Sequence, residues 1–375
     1  MKVARIEVFA VDIPFRVKFS HSLKERTSSE SIIVRLTLDS GHVGYGEGLP
    51  REYVTGETVE SAARTIHSLI APYLYPQNFP DSGMALSCLG GLGEHIAGCS
   101  GAAQCAVELA FLDALGKGCG KSVADLFGGP KRDKVFYTGV VSGGSVSSVV
   151  KYGMIYKILG FRYIKVKVGG GEDIRKLMIL RRILGDRVDI RVDANCAWRL
   201  EEARKMIAEM RAIGVKAVEQ PLAAGDFDGM ALLTRDSGID IVADESLVTV
   251  SDAIRLAESK ACSIFNIRIS KCGGLFNSFK IKEIANKHGI KCQLGCQVGE
   301  TSILSSAGRM LALLWPDVKY LEGSYGKYLL RDDIAQNSIH FGLLGTGKKL
   351  SGSGWGLDIS NAAFSKGWIR PVSCP

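Results

Sequence analysis

The chain has 375 residues, 46% of them apolar and 23% charged. That is an ordinary balance for a soluble globular protein, in a chain long enough for more than one core. The formal net charge is +8, yet the 47 Lys and Arg residues form no run of five or more; nucleic acid is not an expected partner, and the positive excess reads as a solvated surface that favours anionic substrates.

Ten cysteines in a chain this long are too dilute for a disulfide scaffold. Met1-Lys-Val-Ala-Arg-Ile-Glu7 alternates charge with apolar residues and reads as a strand, not as the apolar core of a signal peptide. No apolar run reaches the ~18 residues of a membrane span. The expectation is a cytoplasmic protein with reduced thiols and no membrane partner.

Residues 3–13 alternate as a strand, and a polar, charged segment follows at residues 16–30. Ile32, Val34, Leu36 and Leu38 alternate next. Asp39-Ser40-Gly41 then turns the chain, and residues 42–47 return as the second arm of an antiparallel hairpin. Residues 57–73 and 102–118 carry helical patterns stopped by Pro or Gly. Residues 1–128 therefore read as an α+β domain, closed by Gly128-Gly129-Pro130.

Residues 135–141 supply a first parallel strand and residues 147–159 its helix. Five short runs follow, each closed by an ionisable residue: Tyr163-Ile-Lys165-Val-Lys167, Val188-Asp-Ile-Arg-Val-Asp193, Val215-Lys-Ala-Val-Glu219, Ile239-Asp-Ile-Val-Ala-Asp244 and Ile264-Phe-Asn-Ile-Arg-Ile-Ser-Lys271. From Lys167 to Asp193, Glu219, Asp244 and Lys271 the steps are 26, 26, 25 and 27 residues, and each gap holds a helical pattern. Residues 290–295 and 318–322 bring the strands to eight. This rhythm specifies an α/β fold, a (β/α)7β TIM-type barrel over residues 129–328 or a complete eightfold one. Residues 329–375 lose the period and are expected to return to the N-terminal capping domain and complete it.

Parallel strands bring their C-terminal ends to one rim, so the closing residues converge. Asp193, Glu219 and Asp244 would repel one another unless a cation sat between them, and ligation by oxygen alone selects a hard ion such as Mg²⁺. Lys165, Lys167 and Lys271 would flank that ion. Alone, Lys165 or Lys271 is a rim charge with its stem on apolar surface, and Asp193 is a helix cap. Together at strand ends they make a site. A divalent ion on a substrate carboxylate would stabilise the enediolate left when the α-proton is removed. Cationic neighbours would depress a lysine toward a pKa of ~7–8, as a base requires.

Lys165-Val-Lys167, Asp193-Ala-Asn195, Glu219-Gln-Pro221, Asp244-Glu-Ser246 and Ser270-Lys271-Cys-Gly-Gly274, in this order and spacing, resemble the muconate lactonizing enzyme subgroup of the enolase superfamily. The resemblance covers nearly the whole chain. It implies one Mg²⁺ per chain, with Mn²⁺ as a substitute, and Lys167 as the base assisted by Lys165. Lys271, at a strand end across the pocket, would address the opposite face of the substrate. Asn195 and Glu245 would orient the metal ligands.

The subgroup takes its specificity from the capping loops and the end of strand eight. That places substrate contacts at Arg26, Arg51, Tyr53, Glu300, Glu322 and Ser324, with the charged segment Lys24-Glu25-Arg26 as a lid. Lys24, Glu25, Arg26, Arg51 and Glu52 favour a polar, charged substrate. Dipeptide epimerases of the subgroup carry Asp-x-Asp at strand eight, where this chain has Glu322-Gly-Ser324. The resemblance implies a small carboxylate substrate, a homo-oligomer, and an isomerase. The leading reading is a racemase or epimerase of an amino-acid derivative or dipeptide. The alternatives are a muconate-type cycloisomerase, a syn-dehydratase of the o-succinylbenzoate synthase type, and a barrel that only binds a ligand.

Two other patterns are set aside. Gly342-Leu-Leu-Gly-Thr-Gly347-Lys348-Lys349 approaches a phosphate-binding loop, but Lys349 replaces the Ser or Thr and no helix pattern follows. Cys196, Cys272 and Cys296 fall at strand ends, but thiolates do not suit a carboxylate cage.

Overall fold

A computed structural model describes residues 1–20, 25–142 and 144–372, without the side chains of residues 17–20 and 25. Strands Val3–Val11, Ser31–Leu38 and Val43–Gly48 form an antiparallel sheet, with Val8 opposite Val34 and Val34 opposite Gly46. Glycines at 44, 46 and 48 all face the helix Gly101–Gly118. A Cβ on Gly46 would lie 1.9 Å from the Ala106 carbonyl oxygen, and one on Gly48 would lie 2.1 Å from that of Ala102. Strand glycines spaced by two meet helix alanines spaced by four, so the two backbones touch. That helix is buried throughout from Ala102 to Gly116, as an apolar helix without a polar face must be.

A late strand, Ile369–Pro371, pairs with the edge of Val3–Val11, Phe9 opposite Pro371. The segment expected only to be polar contains two short paired strands, Pro14–Ser20 and Glu25–Ser28. A helix the sequence did not suggest, Ser82–His95, is Gly-rich and weakly amphipathic, so its period is faint. Asp81 marks its start by accepting the Met84 N–H at 2.9 Å.

Eight parallel strands follow in consecutive order: Gly139–Val141, Tyr163–Lys167, Asp189–Asp193, Ala217–Glu219, Asp240–Ala243, Ile264–Ile267, Lys291–Leu294 and Tyr320–Leu321. The Thr138 N–H donates to the Leu321 carbonyl at 2.8 Å, joining the first strand to the last and closing the barrel.

Two boundaries differ from the sequence reading. The run 135–141 is not one strand. Lys134–Phe136 pairs antiparallel with Thr346–Lys348, and the chain crosses to the barrel at Tyr137 and Thr138, whose N–H groups donate to Gly345 and Leu321 respectively. Gly347 thus lies in a strand, and among the described residues no α-helix follows it, where a phosphate-binding loop would need one. The sixth strand stops at Ile267, so Lys271 does not close it. Lys271 sits in a turn in which the Cys272 N–H donates to Arg268 at 2.9 Å and the Gly274 N–H to Ile269 at 2.8 Å. Gly273 and Gly274 have φ of 82° and 95°, the left-handed region that favours glycine.

Among the described residues no helix is long and apolar enough to cross a membrane.

Candidate active site

Lys165 and Lys167 are two apart on the second strand and so share its face. Register places Lys167 beside Asp193 and Asp193 beside Glu219. Lys165 Nζ stands 3.0 Å from Asp193 Oδ2, 2.7 Å from Glu219 Oε1 and 3.1 Å from Glu322 Oε1. Glu219 also accepts from Asn266 Nδ2 at 3.0 Å and Gln293 Nε2 at 2.9 Å. Asp244 meets the Arg268 guanidinium and accepts from Lys271 Nζ at 2.8 Å. The three strand-end carboxylates therefore do converge. They have the counter-charge the sequence reading did not assign them, chiefly from Lys165 and Arg268.

These neighbours set the protonation states. Burial works against the charge on Lys165, but Asp193, Glu219 and Glu322 outweigh it and hold its pKa above the ordinary lysine value. Asp193 is buried too, yet Lys165, Lys167 and Arg268 keep it well below the usual carboxylate range. Burial, reinforced by Lys165 and Arg268, lowers Lys167, and burial with the Arg268 charge lowers Lys271. Both lysines proposed for proton transfer thus move toward the neutral amine.

Asn195 links the second strand to the fifth: its Oδ1 accepts from Lys167 Nζ at 3.1 Å and its Nδ2 donates to Glu245 Oε1 at 3.2 Å. Its N–H donates to Asp193 Oδ1 at 3.2 Å, and its φ of 44° is left-handed. Such backbone persists only where the surroundings over-determine it. Glu245 Oε2 is buried with no partner.

A cavity of about 370 Å³ opens above this floor, bordered by Lys165, Lys167, Asp193, Asn195, Glu245 and Arg268. Glu219, Asp244 and Lys271 are buried and are not among the residues that line it. Tyr53, Glu300, Glu322 and Ser324 border it as well. Arg51 lines it too, but its guanidinium is used: it donates to the carbonyls of Glu30, Pro50, Ser29 and Val298 at 2.8–3.0 Å. Arg26 is not among the lining residues. It is buried and donates to the Ser29 carbonyl at 3.0 Å and Glu30 Oε2 at 2.8 Å. Glu52 is exposed and off the cavity. Lys24, and with it the lid reading, and the Glu25 side chain lie outside the described residues. Of the five residues behind the sequence argument for a charged substrate, the three whose side chains are described, Arg26, Arg51 and Glu52, are thus engaged with backbone and Glu30 or lie off the cavity.

Sequence reasoning missed two features. Arg268, the residue after Ile267, was readable as a strand-end charge had the strand been ended correctly. The aromatic side chains at the cavity's outer end carried no such signal. The cysteines behave as fillers: burial raises the Cys272 thiol and pushes Cys196 up to about 12.

As placed, no three acid, His or Cys side chains among the described residues form an ion cage, because Lys165 and Arg268 stand between the carboxylates. The donor set nonetheless suits a hard divalent cation: Asp193, Glu219 and Asp244 offer only oxygen, and the unpartnered Glu245 oxygen adjoins them.

Residues 4–128 match the family described as Mandelate racemase / muconate lactonizing enzyme, N-terminal domain, and residues 152–363 match Enolase C-terminal domain-like. This chain belongs to the enolase superfamily. Within it the relatives are those of the muconate lactonizing enzyme subgroup. The chain is 30% identical to the L-Ala-D/L-Glu epimerase of Bacillus subtilis over 98% of its length and 99% of that protein. It superposes on the N-succinyl Arg/Lys racemase of Bacillus cereus with a TM-score of 0.90 at 26% identity, covering all of both chains. For the 2-chloromuconate cycloisomerase of Rhodococcus opacus the TM-score is 0.88 at 27% identity, covering 97% of this chain and 99% of that one. Epimerases, racemases and cycloisomerases are all isomerases, and this enolase-superfamily chain is one.

Proposed function

We propose that this isomerase racemises or epimerises an amino-acid derivative by moving the proton α to its carboxylate. One observation carries the reading: Lys167 closes the second strand and Lys271 follows the sixth, four places round an eight-strand barrel, so the two amines approach the floor from opposite sides. Lys167, oriented by Asn195, takes or returns the proton on one face of the α-carbon. Lys271, held by Asp244, serves the other. Lys165 stays protonated and supplies positive charge near the substrate carboxylate. Asp193, Glu219 and Asp244 would hold one Mg²⁺, with Mn²⁺ as a substitute, and the bound ion would supply Lewis-acid polarisation of that carboxylate.

The test is α-proton exchange with deuterated water. Lys271→Ala should keep exchange with one stereoisomer and lose it with the other, and Lys167→Ala should show the reverse. Loss of all exchange in Lys167→Ala alone would favour the cycloisomerase, in which one lysine handles the proton. Intact exchange of both isomers in both variants would remove the reading.

A further inference from the structure

Among the described residues, four Lys and Arg side chains border the cavity: Arg51, Lys165, Lys167 and Arg268. Arg51 is bonded to four backbone carbonyls. Lys165 Nζ stands within 3.1 Å of three carboxylates. Lys167 donates to Asn195, and burial lowers its pKa toward the neutral amine. Arg268 differs from all three. Its Nε is buried without a hydrogen-bond partner, although its side chain is part of the cavity wall and 15% exposed.

Its charge is also only partly balanced. Arg268 Nη2 meets Asp244 Oδ2, but the same carboxylate accepts from Lys271 Nζ at 2.8 Å, so one anion serves two basic side chains. Glu219 Oε1 is 4.0 Å from Arg268 and already accepts from Lys165 and Asn266 at 2.7 and 3.0 Å. Glu245 keeps one oxygen on Asn195, and its other oxygen, having no partner, is not bonded to Arg268 either. A guanidinium carries five donors in a planar fork that matches a carboxylate. Here the fork has donors left over, in a position set by backbone: Arg268 directly follows Ile267, the end of the sixth strand, across the floor from Lys165 and Lys167 on the second.

We infer that Arg268 is a further catalytic residue, whose guanidinium contacts the substrate carboxylate and stabilises the charge that gathers there as the α-proton leaves. The inference rests on the proton-transfer reading above and deepens it. When the α C–H bond breaks, the proton passes to a lysine amine and the bonding pair spreads into the carboxylate, which becomes a doubly charged enediolate. Reprotonation at carbon reverses both movements. A guanidinium stays protonated in proteins, so Arg268 holds this charge without competing for the proton. Its contact with Asp244 fixes it beforehand, so little reorganisation accompanies the step.

The test uses the full-length enzyme supplied with Mg²⁺, and oxalate as the probe, a planar dianion that spreads two charges over carboxylate oxygens as the enediolate does. Calorimetry at saturating Mg²⁺ should find oxalate bound at least tenfold more weakly by Arg268→Met than by the parent, with Mg²⁺ affinity no weaker. Arg268→Gln, which keeps donors and loses the charge, should show the same loss and decides the matter if the methionine variant does not fold.

Equal oxalate binding by variant and parent overturns the inference, and so does a parent that binds no oxalate. A loss of oxalate affinity matched by an equal loss of Mg²⁺ affinity overturns it too, because a residue that only positions Asp244 would give that result. None of these measurements involves proton transfer. If both lysine variants keep exchange of both isomers while Arg268→Met loses oxalate, the proton-transfer reading fails and the anion contact at Arg268 stands.

Discussion

The Glu108 carboxylate, on the helix Gly101–Gly118 of the N-terminal region, accepts the backbone N–H of Leu275 in the first turn of the helix Gly274–Lys287. The same oxygen accepts from Phe276 at 3.2 Å. Glu47 does likewise for the helix Ser302–Leu314, taking the N–H groups of Thr301 at 3.0 Å and Leu304 at 3.1 Å. Carboxylates of the capping sheet and helix thus satisfy the exposed N–H groups that open two barrel helices. One of those helices begins directly after the turn that carries Lys271.

The first prediction follows from burial of that carboxyl. Burial pushes Glu108 up to about 8, although the Leu275 and Phe276 N–H groups pull the other way. A raised pKa means that the folded state binds the proton more tightly than the unfolded one. Its contribution to stability is complete below pH 4.5, the unfolded value, and is lost as pH rises through about 8. In urea titrations from pH 5 to 9, Glu108→Gln should show a flatter loss of stability than the parent. Glu108→Ala, which uncaps the helix, should cost about 1–3 kcal/mol.

The second prediction concerns Gly101. A Cβ there would lie 2.9 Å from the Lys271 carbonyl oxygen and 3.3 Å from Gly273 N, backbone atoms that cannot swing aside. Gly101→Ala should displace the Lys271 turn and reduce turnover by roughly 10²-fold, with the loss in kcat more than KM. The exchange of the isomer served by Lys271 should fall further than that of the isomer served by Lys167. An equal loss for both would show a general disturbance instead.

The third prediction tests the carboxylate floor. Asp244→Asn removes one oxygen anion from the proposed Mg²⁺ ligands and from the partners of Lys271 and Arg268. Calorimetry should find Mg²⁺ affinity lower by about a hundredfold or more, with an unchanged circular dichroism spectrum. Undiminished affinity would sink the ligand assignment.

The fourth prediction isolates the buried pair at the end of the eighth strand. Arg191 is fully buried, donates to Thr138 Oγ1 at 3.0 Å and stacks 4.4 Å from the Tyr320 ring centroid. Glu322→Leu would leave its guanidinium without a counter-ion in the barrel interior. Unfolding in denaturant should then show a loss of about 3–5 kcal/mol.

The barrel and the floor of its site were legible in the sequence because both are written in local terms. A strand buried on both faces must be apolar, so a polar residue closing it stands out. Parallel strands bring such residues to one rim whatever the loops do, which is why Lys165, Lys167, Asp193, Glu219 and Asp244 could be assembled from spacing alone. The glycines at 44, 46 and 48 and the alanines at 102, 106 and 110 also lay in the sequence, but their meaning appears only when strand and helix lie against each other.

What tertiary structure alone decided is which charges are already spent. Arg51 reads as a substrate contact until four carbonyls from Ser29, Glu30, Pro50 and Val298 are found around its guanidinium. Glu322 reads as a substrate contact until Arg191, from the third strand, is found beside it. Tyr156 and Phe341 lie 185 positions apart in the chain and line one cavity only because the first strand closes onto the last. A hydrogen-bond donor or a charge can be counted from sequence. Its availability depends on distances of a few ångströms between segments that no local pattern relates.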